Sequence, residues 1–180
     1  MENAQQLAAW KDIYVMLGTS AAALIGLLFV ATSLHLNEIV NNEIYRIRSR
    51  NITLLLIAII VQAAATLMPQ PTPVLGAEIV AVNLCGLWPP ITFTYHAFLR
   101  NRKIGERAGF SIYRAISIHA SYLLGIAGGA ALVKQLNWGM YLVTIGFVSL
   151  LVSAIWNAWL ILLGIGQAEK AKKEQPHARR

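Results

Sequence analysis

The sequence predicts an all-helical membrane protein: a bundle of five transmembrane spans, N-terminus outside and C-terminus in the cytoplasm. Three observations lead there. Of 180 residues, 57% are hydrophobic and only 13% charged, whereas a soluble domain carries about 25% charged residues. The apolar residues fall into five blocks, each long enough to cross a hydrocarbon core. The cations alternate with those blocks: thirteen of the fifteen Lys and Arg follow blocks one, three and five. That is the positive-inside pattern of an odd number of spans starting outside.

The net charge of +7 therefore reports orientation and contact with anionic lipid on the cytoplasmic side. Nucleic-acid binding is not expected, because no soluble basic module with interleaved aromatics is present to offer the charge. The single cysteine, Cys85, excludes an intramolecular disulfide and a cysteine-based metal cluster. It lies in an apolar run, where a buried, inert thiol is expected.

Residues 1–12 are polar and lack the basic start of a signal peptide, with Lys11 set against Glu2 and Asp12. They read as mature sequence, with Trp10 and Tyr14 at the first membrane interface. Span one covers about residues 14–37. Its outer half carries Gly18, Ala22 and Gly26 at i, i+4, i+8, a stripe of small residues that admits a neighbouring backbone. Residues 41–51 read as a polar connection containing Arg46, Arg48 and Arg50.

Span two, 52–68, has seventeen residues, enough for about 25 Å. The turn Pro69-Gln-Pro-Thr-Pro73 cannot continue a helix. Span three, 74–99, holds Glu78 and Asn83 toward its outer end, and Pro89-Pro90 are expected to kink or break it. Residues 100–114 form the most basic loop, with Arg100, Arg102, Lys103 and Arg107. Span four, 115–133, carries a second small-residue stripe that includes the Gly125-x-x-x-Gly129 motif. Lys134 to Trp138 turn the chain into span five, 139–165. Residues 1–166 thus form one transmembrane domain, with spans one and four as its packed inner helices. Residues 167–180 form a charged tail, frayed or a short surface helix.

His35, His96 and His119 all fall a few residues inside the cytoplasmic boundary, near Glu38 and Asn37, with Asn157 one to two turns deeper. An interfacial polar network, a metal or haem site and an ion-handling vestibule are the three readings of this layer. No two of these histidines stand at i, i+3 or i, i+4, so only the fold brings them together. No cofactor is expected on balance, haem or a divalent metal at those histidines being the alternative. Glu78 is expected to pair with Lys11 or Lys134, with facing water at a cavity mouth as the alternative, and the buried amides Gln62 and Asn83 with a partner on another helix. The usual catalytic motifs are missing and the carboxylates are unpaired, so enzyme activity is not expected.

The opening Trp10-Lys-Asp-Ile-Tyr14, with Gly18 and the run from Ala22 to Leu34, resembles the start of a group of small bacterial multi-span membrane proteins. Most are uncharacterised, and some are named modulators of the FtsH membrane protease. The resemblance covers about residues 10–40. It implies a bacterial inner-membrane protein and an accessory or regulatory role. The partners it leaves open are a membrane protease, another membrane complex or a second copy of the chain. A small channel or transporter is the alternative.

Overall fold

The computed structural model describes residues 2–101 and 108–174, with side chains described over 10–43, 45–89, 91 and 116–166. Among these the chain forms six helices: α1 (Glu2–Leu34), α2 (Leu36–Asn41), α3 (Glu43–Leu67), α4 (Thr72–Asn101), α5 (Ala108–Val133) and α6 (Gly139–Glu174). Five are long and apolar enough to cross a membrane: Trp10–Leu34, Tyr45–Leu67, Thr72–Pro89, Ile116–Val133 and Gly139–Gly166.

The ends of these helices have local causes. α1 stops at His35, whose backbone is bent (φ −115, ψ 30), and the six-residue α2 sets off from there. Span one therefore ends before Asn37 rather than running through it. The expected polar connection at 41–51 is nearly all helix. Asn42 accepts the Tyr45 N–H at 3.4 Å through its side-chain oxygen, with Glu43 in the first turn. Both features favour a helix start. Arg46, Arg48 and Arg50 consequently ride on the first turns of α3.

At the turn before α4, the Pro71 carbonyl accepts from Val74 and Leu75, and Pro73 sits in the first turn, where its missing donor costs nothing. Of the expected kink or break, the break is absent: α4 runs continuously through Pro89-Pro90. Pro90 deprives the Gly86 carbonyl of its donor, and the Tyr122 ring of α5 packs directly against Gly86. Between α5 and α6, Leu136 N–H donates to Ala131 and Gln135 N–H to Leu132. This is the paired bonding of a Schellman end, with Gln135 at φ 58 in the position usually held by glycine. The expected tail is helical to Glu174 as the continuation of α6; residues 175–180 lie outside the described residues.

α5 packs along both α4 and α6, while α3 touches α1, α4 and α6. The core threads these contacts: Leu17, Ile59, Ile79, Leu132, Val143, Phe147 and Leu150 are all fully buried. Because lipid tails are as apolar as leucine, such helices are held by close packing and interhelical hydrogen bonds rather than by water exclusion. The glycines provide the closest approaches. A Cβ on Gly129 would lie 2.8 Å from the Gly76 carbonyl of α4, and one on Gly128 would lie 2.8 Å from the Gly139 carbonyl of α6. Two adjacent glycines thus let α5 meet both neighbours at one level.

Span four is packed as expected, but span one is not. Gly18 meets Ala63 of α3 (a Cβ there would lie 3.1 Å from it), whereas Ala22 is exposed and Gly26 has nothing within 4 Å. The buried line on α1 is instead Tyr14, Leu17 and Ala21. Positions four apart drift about 40° around a helix of 3.6 residues per turn, so the stripe rotates off the contact within two turns.

Candidate functional site

Among the described residues, three side-chain hydrogen bonds that join one span to another stand out. The first pairs α3 with α4. Asn83 Nδ2 donates to Gln62 Oε1 at 2.6 Å and to the Ile79 carbonyl at 2.7 Å. Gln62 Nε2 donates to the Ala58 carbonyl at 3.2 Å. Both amides are fully buried. Asn83 Oδ1 has no hydrogen-bond partner and presses on the Gly125 backbone, where a Cβ would lie 2.5 Å from it. Gly125 is therefore required by a polar side chain as well as by a neighbouring helix.

The second contact pairs α1 with α6. Thr144 Oγ1 donates to the Met140 carbonyl at 2.8 Å, so the Tyr14 hydroxyl is the donor in the 2.9 Å contact with Thr144. Tyr14 also meets Phe147 edge-on, with ring centroids 5.6 Å apart, and Trp10 meets Tyr141 edge-on at 4.8 Å. Tyr14 is thus buried in the core between α1 and α6. The third contact pairs α5 with α6 through the Ser117 and Ser153 hydroxyls at 2.9 Å.

Of the three histidines in the expected layer, two have described side chains, His35 and His119. His35 is the half-buried bend between α1 and α2, with Glu38 half-buried and Asn37 exposed on α2. His119 is half-buried on α5. Asn157 is buried on α6, but its Nδ2 donates within its own helix, to the Ser153 carbonyl at 2.7 Å. The side chains of His96 and Arg100 lie outside the described residues, as do Arg102, Lys103 and Arg107 entirely. Among the described residues, no group of three His, Cys, Asp or Glu could hold a metal ion.

Two further expectations are corrected. Glu78 pairs with Gln70 rather than with Lys11 or Lys134: Gln70 Nε2 donates to Glu78 Oε2 at 2.8 Å and to the Ala65 carbonyl at 2.8 Å. The bend at the proline turn brings Gln70 back over the start of α4. Cys85 is exposed, because it lies on the outward side of α4, two residues from the inward Asn83.

At the α2 end, Arg46 and Arg50 are exposed and Arg48 is half-buried. Arg48 Nε is buried without a hydrogen-bond partner, as is Asn51 Oδ1. Sequence reasoning missed Arg48's special position, since three alternating arginines look equivalent until the helix phase is known. It also missed Thr144 and Ser153, hydroxyls that give no signal inside an apolar run.

Taken together, the fold and its interhelical polar contacts define a multi-pass helical membrane protein. Compared with known proteins, the chain matches no family model, no curated protein and no solved structure.

Proposed function

We propose that this protein is a non-catalytic accessory protein of a bacterial inner membrane, acting through lateral helix contacts and through its basic cytoplasmic segments. The observation that carries this reading is how the buried amide pair is used. Gln62 and Asn83, the most polar fully buried pair, bond to each other and to backbone rather than lining an open passage. Tyr14 with Thr144 and Ser117 with Ser153 likewise serve as fastenings between helices. Among the groups that stay open on the described surface are the Ala22 and Gly26 side of α1 and, on α3, Arg46 and Arg50. Both suit association: small residues admit another helix, and arginines meet acidic or phosphate groups.

The orientation belongs to the same proposal. With the N-terminus outside, α2 and Arg46, Arg48 and Arg50 face the cytoplasm, where anionic lipid and soluble partners are found. A fluorescent-protein fusion at the C-terminus is expected to be bright, and an alkaline-phosphatase fusion there inactive. The reverse pair of results would refute the orientation.

Gentle detergent extraction from native membranes, followed by mass spectrometry of co-purifying proteins, tests the role itself. The expected result is one membrane complex, such as a protease, recovered at fixed stoichiometry and lost on Gly26→Leu. Recovery of the chain alone, under conditions that preserve known membrane complexes, would overturn it.

A further inference from the structure

α1 and α6 run side by side in the same direction. They touch through Trp10 with Tyr141 and Tyr14 with Phe147. Past these contacts, toward the α2 end, they leave a cleft of about 100 Å³. Leu28 of α1, Ala158 and Ile161 of α6 and Ile52 of α3 form its walls, and Ile39 of α2 closes one end. Its lining is apolar but for Thr32 and Ser49, and the Thr32 hydroxyl is already given to the Leu28 carbonyl at 2.6 Å. Along α6 the lining runs from Ala154 to Ile165, about 16 Å at the helical rise, which is about half the hydrocarbon thickness of a bilayer. The cleft is one leaflet deep.

The polar end of this cleft carries positive charge. Arg48 lies one helical turn before Ile52 and next to Ser49, both lining residues. Its side chain is half-buried, and its Nε–H, closed off from solvent, has no acceptor within the protein, so the guanidinium charge is costly to hold there until an anion at the open end of the group meets it. Arg46 and Arg50 stand exposed on the same turns. Glu38 and Glu43 lie at this corner too, so the positive charge is local to the arginine turns. A slot one leaflet deep, apolar along its length and cationic at its headgroup end, matches a lipid tail with a negative head.

We propose that the cleft between α1, α3 and α6 holds one acyl chain of an anionic phospholipid whose phosphate accepts from Arg48. The proposal goes beyond the accessory role, and it stands whether or not a protein partner is found.

The test is native mass spectrometry of the full chain in detergent, titrated with phosphatidylglycerol or with phosphatidylcholine carrying the same tails. Phosphatidylglycerol is expected to be retained at least about tenfold better, the equivalent of about 1.4 kcal/mol. Arg48→Gln should reduce that preference to within about twofold, while the Arg46→Gln/Arg50→Gln double variant, which removes more charge, keeps most of it. Ala158→Phe, which fills the slot, should weaken retention of both lipids; Ala158→Leu is the milder filler where phenylalanine does not fold. Equal retention of the two lipids would overturn the proposal. So would a preference lost in the double variant but kept in Arg48→Gln, the mark of a diffuse basic belt, and so would undiminished binding to a folded slot-filled variant.

Discussion

Gly129→Leu is expected to destabilise the bundle by about 3 kcal/mol, the upper part of the ordinary range for overpacking. At Gly129 the obstruction is backbone. A Cβ would lie 2.8 Å from the Gly76 carbonyl oxygen and 2.9 Å from a Val80 methyl, so no rotamer change relieves it and α4 must move away from α5. Moving α4 would also pull Asn83 off Gly125 and loosen the Tyr122 contact at Gly86, since both lie on the same seam. The control is Gly26→Leu, where a Cβ meets nothing within 4 Å, and a cost within about 0.5 kcal/mol is expected. Denaturant unfolding of the two detergent-purified variants compares them directly. Equal stabilities would show that the α4–α5 seam is not held as tightly as its glycines imply.

How far this seam could be read in advance depends on what each residue's signal is made of. The Gly125-x-x-x-Gly129 motif announced a packed face because glycine in an apolar helix offers little besides close approach. The same logic held at Gly18, which meets Ala63 of α3, and misled at Ala22 and Gly26. Spacing puts small residues on a common face, but whether a neighbour follows that face for three turns is set by the crossing of α1 with α3. The number of spans was legible because membrane thickness fixes how long an apolar run must be; the start of span two was not, since it begins at Tyr45, within the arginine turns. At Pro89-Pro90 the rule about missing donors allowed a kink or a break and could not choose between them; α4 continues without a break, with the Tyr122 ring of α5 packed across Gly86.

The candidate site divides along the same line. Gln62 and Asn83 were legible as partners, since buried amides without a complement are costly and the apolar spans hold few others. The arginines were legible as a group but not in rank. Only the helical phase of α3 separates Arg48, with its buried Nε, from its exposed neighbours. Glu78 was misassigned because charge suggested a lysine, whereas the backbone at the proline turn brings an uncharged amide, Gln70, within 2.8 Å. Aromatic belts are a property of depth, so reading Tyr14 by depth gave no hint of the Thr144 and Phe147 of α6 that it packs against.

The second large effect is expected at Asn83. Asn83→Leu should cost about 2 kcal/mol, from two sources. Gln62 Oε1 loses its donor while remaining fully buried. In the same change, the flat amide lying on the Gly125 backbone gives way to a branched methyl pair of greater thickness. Interhelical hydrogen bonds within bilayers average only about 0.6 kcal/mol in double-mutant cycles and reach about 1.7. The bond alone therefore does not supply the full effect, and the two sources can be separated. Gln62→Met added to Asn83→Leu removes the orphaned acceptor and leaves the steric load. The double variant should therefore recover about 1 kcal/mol relative to Asn83→Leu. Asn83→Ala has the complementary deficit, an orphaned acceptor and a void without overpacking, and Gln62→Met should rescue it by a similar amount. A double variant no more stable than Asn83→Leu would mean that Gln62 finds another donor in the bilayer. The Gln62–Asn83 pair would then be a packing contact between α3 and α4 rather than a bond that fixes their register.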